Sequence, residues 1–151
     1  MTATAEGECL ICATDDAPED AVVFRDDLWA AEVVPGYEVP GWVFLRARRH
    51  AELLTGLDPQ ELATLGFRAR DLVAAMSEAT GAPAVYLMGF GENYRHFHML
   101  VTARGEDVPA DRRTGEILKL RGERIDRAAS LHLVPSLRSA YARIAGSRAA
   151  A

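Results

Sequence analysis

The chain has only two cysteines, and they stand three positions apart near its start, as Cys9-Leu10-Ile11-Cys12. In a reducing compartment a C-x-x-C pair holds a metal or does redox work more often than it forms a structural disulfide. A redox pair usually opens a helix after a strand. Here the acidic, proline-containing run Thr14 to Asp20 follows instead, which favours metal. Two thiolates are half of a tetrahedral site. The chain must then bring distant residues to its N-terminus to complete the set, and that requirement restricts the fold more than any other feature.

The candidate partners are four histidines, His50, His96, His98 and His132. His96 and His98 fall in Arg95-His96-Phe97-His98-Met99-Leu100-Val101. On a strand, His96, His98 and Leu100 share one face, and Phe97, Met99 and Val101 share the other, which must be the core. The imidazoles therefore point toward a surface or a cleft. His50 ends the basic run Arg46-Ala47-Arg48-Arg49-His50, and His132 lies in a helical pattern with a plain structural role. Spacing leaves two ligand sets open, because residues i and i+2 of a strand can reach one metal. They are Cys9, Cys12, His50 and His96, or Cys9, Cys12, His96 and His98.

The surrounding pattern is α+β. Ala21–Phe24 and Leu28–Val34, split by Arg25-Asp26-Asp27, predict a hairpin, and Trp42–Leu45 a third strand entered through Pro40-Gly41. A helix over Pro59–Ala79 starts on Asp58 as N-cap, with Pro59 at its first position and Glu61 completing a capping box. Leu62, Leu65, Ala69, Leu72, Val73 and Met76 form its apolar stripe, and Gly81 is a natural stop. Ala84–Phe90 and His96–Thr102, joined by Gly91–Arg95, predict a second hairpin. Ile125–Ile144 is mostly helical, with Pro135 interrupting or restarting it. The expected architecture is an antiparallel sheet with a long helix and a C-terminal helix on one side. Residues 1–145 form a single domain and 146–151 a flexible tail.

Composition narrows the partners. The 151 residues carry 22 acidic and 17 basic side chains, a net charge of -5, whereas duplex nucleic-acid binders carry a basic surplus. The basic positions at Arg112-Arg113 and Arg121–Arg127 are interleaved with acids and predict a solvated helical face. No apolar run reaches the roughly 18 residues of a membrane span. Met1–Glu6 lacks the basic start and apolar stretch of a signal peptide. A soluble cytoplasmic protein is expected.

Taken in order, several pieces carry a resemblance. They are Cys9-x-x-Cys12, Pro40–Leu45 leading to Arg48-Arg49-His50, the long helix, Val85-Tyr86, and His96–Val101. Arg104 and Pro109–Arg113 follow. The pattern resembles the histidine-triad (HIT) superfamily of nucleotide hydrolases and transferases, over roughly Cys9 to Arg113. That family alternates three histidines with apolar residues. His96 and His98 match the first two, and Leu100 stands at the third, so the chain resembles a member with an altered triad. The resemblance implies a HIT-like fold and His98 as the nucleophile that attacks the α-phosphate of a nucleoside ester or anhydride. It also implies that Asn93 and Arg104 contact the substrate. Glu32 is the nearest match to an acidic ribose-holding residue, although its spacing to His50 is longer than usual. The resemblance selects Cys9, Cys12, His50 and His96 as ligands of a structural zinc, and it implies a homodimer.

Leu100 shapes the choice among functions. The third histidine polarises the phosphate and stabilises the leaving group, and leucine has no donor. Loss of one such preorganised donor costs on the order of 10²–10³ in rate. One expectation is a hydrolase or transferase acting through His98 on a small nucleotide-like substrate. Its targets would be dinucleoside polyphosphates, nucleoside phosphoramidates or nucleotide sugars. A second is a zinc-stabilised nucleotide-binding module without turnover. A third is an enzyme of another reaction type in the same cleft, with His98 as acid or base.

Overall fold

The computed structural model of the protein describes residues 9–150, so the Met1–Glu6 segment considered for targeting, and Ala151, lie outside the described residues. Cys9 caps a single helical turn, α1 (Leu10–Ala13). Two strands follow, β1 (Val22–Arg25) and β2 (Trp29–Glu32). Their turn is set by Asp26, whose Oδ1 accepts from the backbone N–H of Leu28 and Trp29 at 2.9 and 2.8 Å. This local side-chain bond is why the Arg25-Asp26-Asp27 signal makes a hairpin.

Strand β3 (Trp42–Ala47) comes next. Gly41 adopts φ 85° at its entrance, and a Cβ there would meet the Ala103 Cβ at 3.0 Å. Helix α2 (Pro59–Thr80) begins on the expected capping box. Asp58 Oδ1 accepts from Glu61 N, and Glu61 Oε1 accepts from Asp58 N, both at 2.8 Å. Gly81, at φ 66°, ends it in the left-handed conformation. Strands β4 (Ala84–Met88) and β5 (His98–Arg104) form the second hairpin.

β5 starts two residues later than expected. Ala47 N donates to Phe97 O and Phe97 N donates to Ala51 O, so the backbone at 96–97 bonds to the chain leaving β3, ahead of the regular ladder. The long C-terminal helix α3 (Arg127–Ala150) holds Pro135 in its interior and continues past it, through the segment read as a tail, to Ala150. Proline normally breaks a helix by removing one bond. Packing against α2 and β1, including Tyr141 stacked on Phe24 at 4.0 Å, offsets that loss.

The five strands run antiparallel in the order β1-β2-β3-β5-β4. Both faces of the centre are covered. On one, Trp29, Val43, Leu45 and Val101 pack against Leu72 and Met76 of α2 and Val134 and Leu137 of α3. On the other, Trp42, Phe44 and Leu100 meet Ile11, Val34, Ile117 and Leu120. The second layer comes from the N-terminal turn and an irregular 3₁₀ stretch, Thr114–Gly122. The histidine-bearing face is thus largely roofed, where the alternation alone left it open to solvent or cleft. No described helix is long and apolar enough to cross a membrane.

A charged pair lies beneath that roof. Arg46 on β3 donates from Nη2 to Glu32 Oε1 at 2.8 Å and from Nε to Oε2 at 3.1 Å, and both side chains are 0% exposed. Asp15 joins it, accepting from Arg46 Nη2 at 2.6 Å. Removing one partner of a buried pair strands the other charge in a low-dielectric site. Glu32→Ala should lower unfolding stability by about 3–5 kcal/mol, measured by urea denaturation. A change below about 1 kcal/mol, the range of exposed pairs, would contradict this account of the pair.

Candidate functional site

Three separated segments converge at the start of β5. Cys9 and Cys12 bracket α1, His50 follows β3, and His96 stands two residues before β5. The four ligand atoms lie within 4.8 Å of one another. Cys12 Sγ is 3.2 Å from His50 Nδ1 and 3.3 Å from His96 Nδ1, and Cys9 Sγ is 3.6 Å from His96 Nδ1. A tetrahedral ion bound at about 2.3 Å to sulfur and 2.0 Å to nitrogen needs neighbouring ligands roughly 3.5 Å apart, so the spacings fit. His96 Nε2 donates to the Ala47 carbonyl at 2.5 Å. That bond fixes the tautomer and leaves Nδ1 with its lone pair toward the sulfurs. Burial pushes the His96 imidazole down to about 4, so it stays neutral, as a ligand must be. These residues could hold a metal ion.

His98 is not part of this cluster, which decides between the two sets the spacing left open. It stands opposite Arg46 across the β3–β5 ladder and faces a cleft of about 420 Å³. Its Nδ1 donates to the His96 carbonyl at 2.7 Å, which leaves the Nε2 lone pair unprotonated. The ring stacks on Phe44, with centroids 5.1 Å apart and planes within 12°. Burial lowers its proton affinity, partly opposed by the His96 carbonyl, so the ring is held below the usual histidine range. The result is an oriented neutral imidazole at the wall of a mostly apolar and aromatic cleft.

The other expected site residues divide. Asn93 lies on the exposed β4–β5 loop and lines the cleft. Leu100 lines it too, 7% exposed. Glu32 does not: it is fully buried in the Arg46 pair, with Arg25 Nε donating at 3.3 Å as well. Its carboxylate is consumed by structural bonds. Arg104 ends β5 opposite Ala84, six residues beyond His98. At about 3.3 Å per residue that is roughly 20 Å along the strand, beyond the reach of an arginine side chain. His132 is exposed on α3, away from the cluster.

Three cleft residues escaped the sequence reading: Tyr37, Tyr94 and Arg121. Tyr37 and Tyr94 join through their hydroxyls at 3.3 Å, and the Tyr94 ring lies 6.1 Å from His98. Arg121 holds its guanidinium carbon 3.9 Å from the Tyr37 ring centroid and donates from Nε to Gly36 O at 2.8 Å. Arg121 is exposed, as the solvated reading of that stretch expected, and it also forms part of the cleft wall. Tyr94 had a signal, since it continues the i, i+2 series of His96 and His98.

No protein-family model matches the chain, and no curated protein matches its sequence. Solved structures do match. A hypothetical histidine triad nucleotide-binding protein from Sulfolobus tokodaii superposes with TM-score 0.69 at 18% identity, covering 90% of this chain and 93% of that one. A Zn-bound histidine triad family protein from Mycobacterium smegmatis gives 0.66 at 20%, covering 95% and 99%. The chain has the histidine-triad fold. A uridylyltransferase shares it, with TM-score 0.64 at 20% identity over 91% of this chain and 46% of that protein. The sheet order and the placement of the helices are thus those of histidine-triad proteins.

The geometry places His96 in the cluster and His98 outside it. Elemental analysis of purified variants should find the wild-type metal content in His98→Asn and its loss in His50→Asn and Cys12→Ser. Loss in His98→Asn with retention in His50→Asn would reverse the ligand assignment.

Proposed function

We propose that the protein is a nucleotidyl hydrolase or transferase that acts on nucleoside phosphate anhydrides, esters or phosphoramidates with His98 as nucleophile. One observation carries this reading: the bond from His98 Nδ1 to the His96 carbonyl, which leaves Nε2 unprotonated in a ring that lines the cleft. Neutral imidazole is a good nucleophile near neutral pH. Nε2 forms a bond to the α-phosphorus as the bond to the leaving group breaks and takes its electron pair away. The ring becomes positive, and the Nδ1–H bond to the carbonyl offsets that charge. Water or another acceptor then attacks phosphorus, the P–N pair returns to Nε2, and the acceptor proton passes to solvent. The cleft wall is largely aromatic, and Asn93 offers a hydrogen bond at its rim.

The metal best suited to two thiolates and two imidazoles is zinc. When bound, it supplies a cross-link with all four positions taken by protein. Cys9, Cys12, His50 and His96 would then tie the N-terminal turn and the end of β3 to the start of β5. A homodimer in the cytoplasm completes the proposal. β4 lies at one edge of the sheet and carries Leu87, 39% exposed, with Phe90, 66% exposed, just beyond.

Leu100 supports a second reading, nucleotide binding without turnover, because it places an apolar side chain where a donor would act. A chromatographic product assay separates the two. Metal-replete protein is incubated with adenylyl and guanylyl anhydrides, esters and phosphoramidates beside His98→Asn. Nucleoside monophosphate should appear with the wild type alone. No release by folded, metal-loaded wild type would contradict turnover and favour the binding module.

A further inference from the structure

We infer that Tyr37, Tyr94 and Arg121 form an anion subsite beside His98 that takes the second phosphate of a nucleoside diphosphate group, so that the group leaving His98's reaction is a phosphate. The inference rests on the nucleotidyl-transfer reading and names its substrate class.

The donors are already arranged. Tyr37 donates its hydroxyl proton to Tyr94 Oη, which leaves the Tyr94 proton for a ligand in the cleft. Burial and the Tyr94 contact push the Tyr37 hydroxyl up to about 12, so it remains a donor across neutral pH. Arg121 is fixed twice, by the Gly36 carbonyl and by the Tyr37 ring, and the Gly36 bond uses only one of the five N–H donors of a guanidinium. A fixed arginine fork suits a phosphate, because little side-chain freedom is lost on binding. The other charged residue lining the cleft is Glu92, on the exposed β4–β5 loop. With the chain at -5 overall, a local cation is needed to hold a polyanion.

Leu100 points the same way by a separate chemical route. It can give no proton to a departing group. Amine and alkoxide leaving groups need one. A phosphate does not: when the P–O bond breaks, the electron pair stays on a phosphate oxygen, whose conjugate acid has a pKa near about 6. Arg121 and the Tyr94 hydroxyl offset that charge, and no other co-reactant is required.

Calorimetric binding to the full, metal-loaded chain tests this, with mono- and diphosphates of the four common nucleosides. A diphosphate should bind at least about tenfold tighter than its monophosphate, the effect of one charge-assisted bond. Arg121→Gln should erase that difference and leave monophosphate affinity unchanged. Equal affinities in the wild type, no diphosphate binding, or equal weakening of both ligands in Arg121→Gln would overturn the subsite. If Arg121→Gln fails to fold, Tyr94→Phe carries the test: the diphosphate preference should shrink, and an unchanged preference would overturn the proposal. A preserved diphosphate preference without product release would contradict nucleotidyl transfer alone. Product release with equal affinities would contradict the subsite alone.

Discussion

The convergence of Cys9, Cys12, His50 and His96 is the constraint on which the rest of the structure depends. It joins residues 87 positions apart in the chain and fixes His96, with its Nε2 bonded to Ala47, at the entrance of β5. Two residues later comes His98. The backbone held at His96 runs directly into β5, so immobilising His96 also positions His98. The His96 carbonyl then acts directly on His98 through the Nδ1 bond. One residue thus faces the cluster with its ring and sets its neighbour's tautomer with its backbone.

The buried charges extend the same bracing. Asp15, just beyond the C-x-x-C turn, bonds Arg46, and Arg46 stands across the ladder from His98. Glu32, on the next strand, accepts from Nε and Nη2 of that guanidinium. A buried ion pair is weak evidence for stability, because desolvation opposes its attraction. Its effect here is positional. An apolar replacement would leave the N-terminal turn without a directional bond to β3, and that turn delivers both sulfurs.

Much of the fold was legible because local chemistry and tertiary packing agree. Asp58, Pro59, Glu61 and Gly81 delimit α2 by capping alone. The Asp26 turn and the β-branched runs set the hairpins. The 96/98/100 alternation separated these residues from Phe97 and Val101 on the helix-covered face, while the second apolar layer over Leu100 was not legible in it. Other features depend on contacts distant in sequence. Helix α3 survives Pro135 through packing with α2 and β1. The Thr114–Gly122 stretch has no clean period, and only its burial of Ile117 and Leu120 makes it a wall and brings Arg121 to the cleft. Glu32 looked available as a ligand group because sequence cannot show that Arg46 lies across from it. Arg104 looked near His98 because the family pattern gives order along the chain, while strand rise converts order into distance. Within the histidine-triad fold, this chain gathers Cys9, Cys12, His50 and His96 near the start of β5 and sets His98 in the wall of a cleft that Leu100, Tyr37, Tyr94 and Arg121 also line.

The most direct test of His98 as nucleophile is to trap the covalent intermediate. Turnover would be quenched in base, which preserves a phosphorus–nitrogen bond, and the protein digested for peptide mass analysis. The account predicts one nucleotidyl group on the peptide containing His98, formed within a turnover and absent from His98→Asn. A nucleotidyl group on another residue, or active turnover with no adduct at any time, would contradict it.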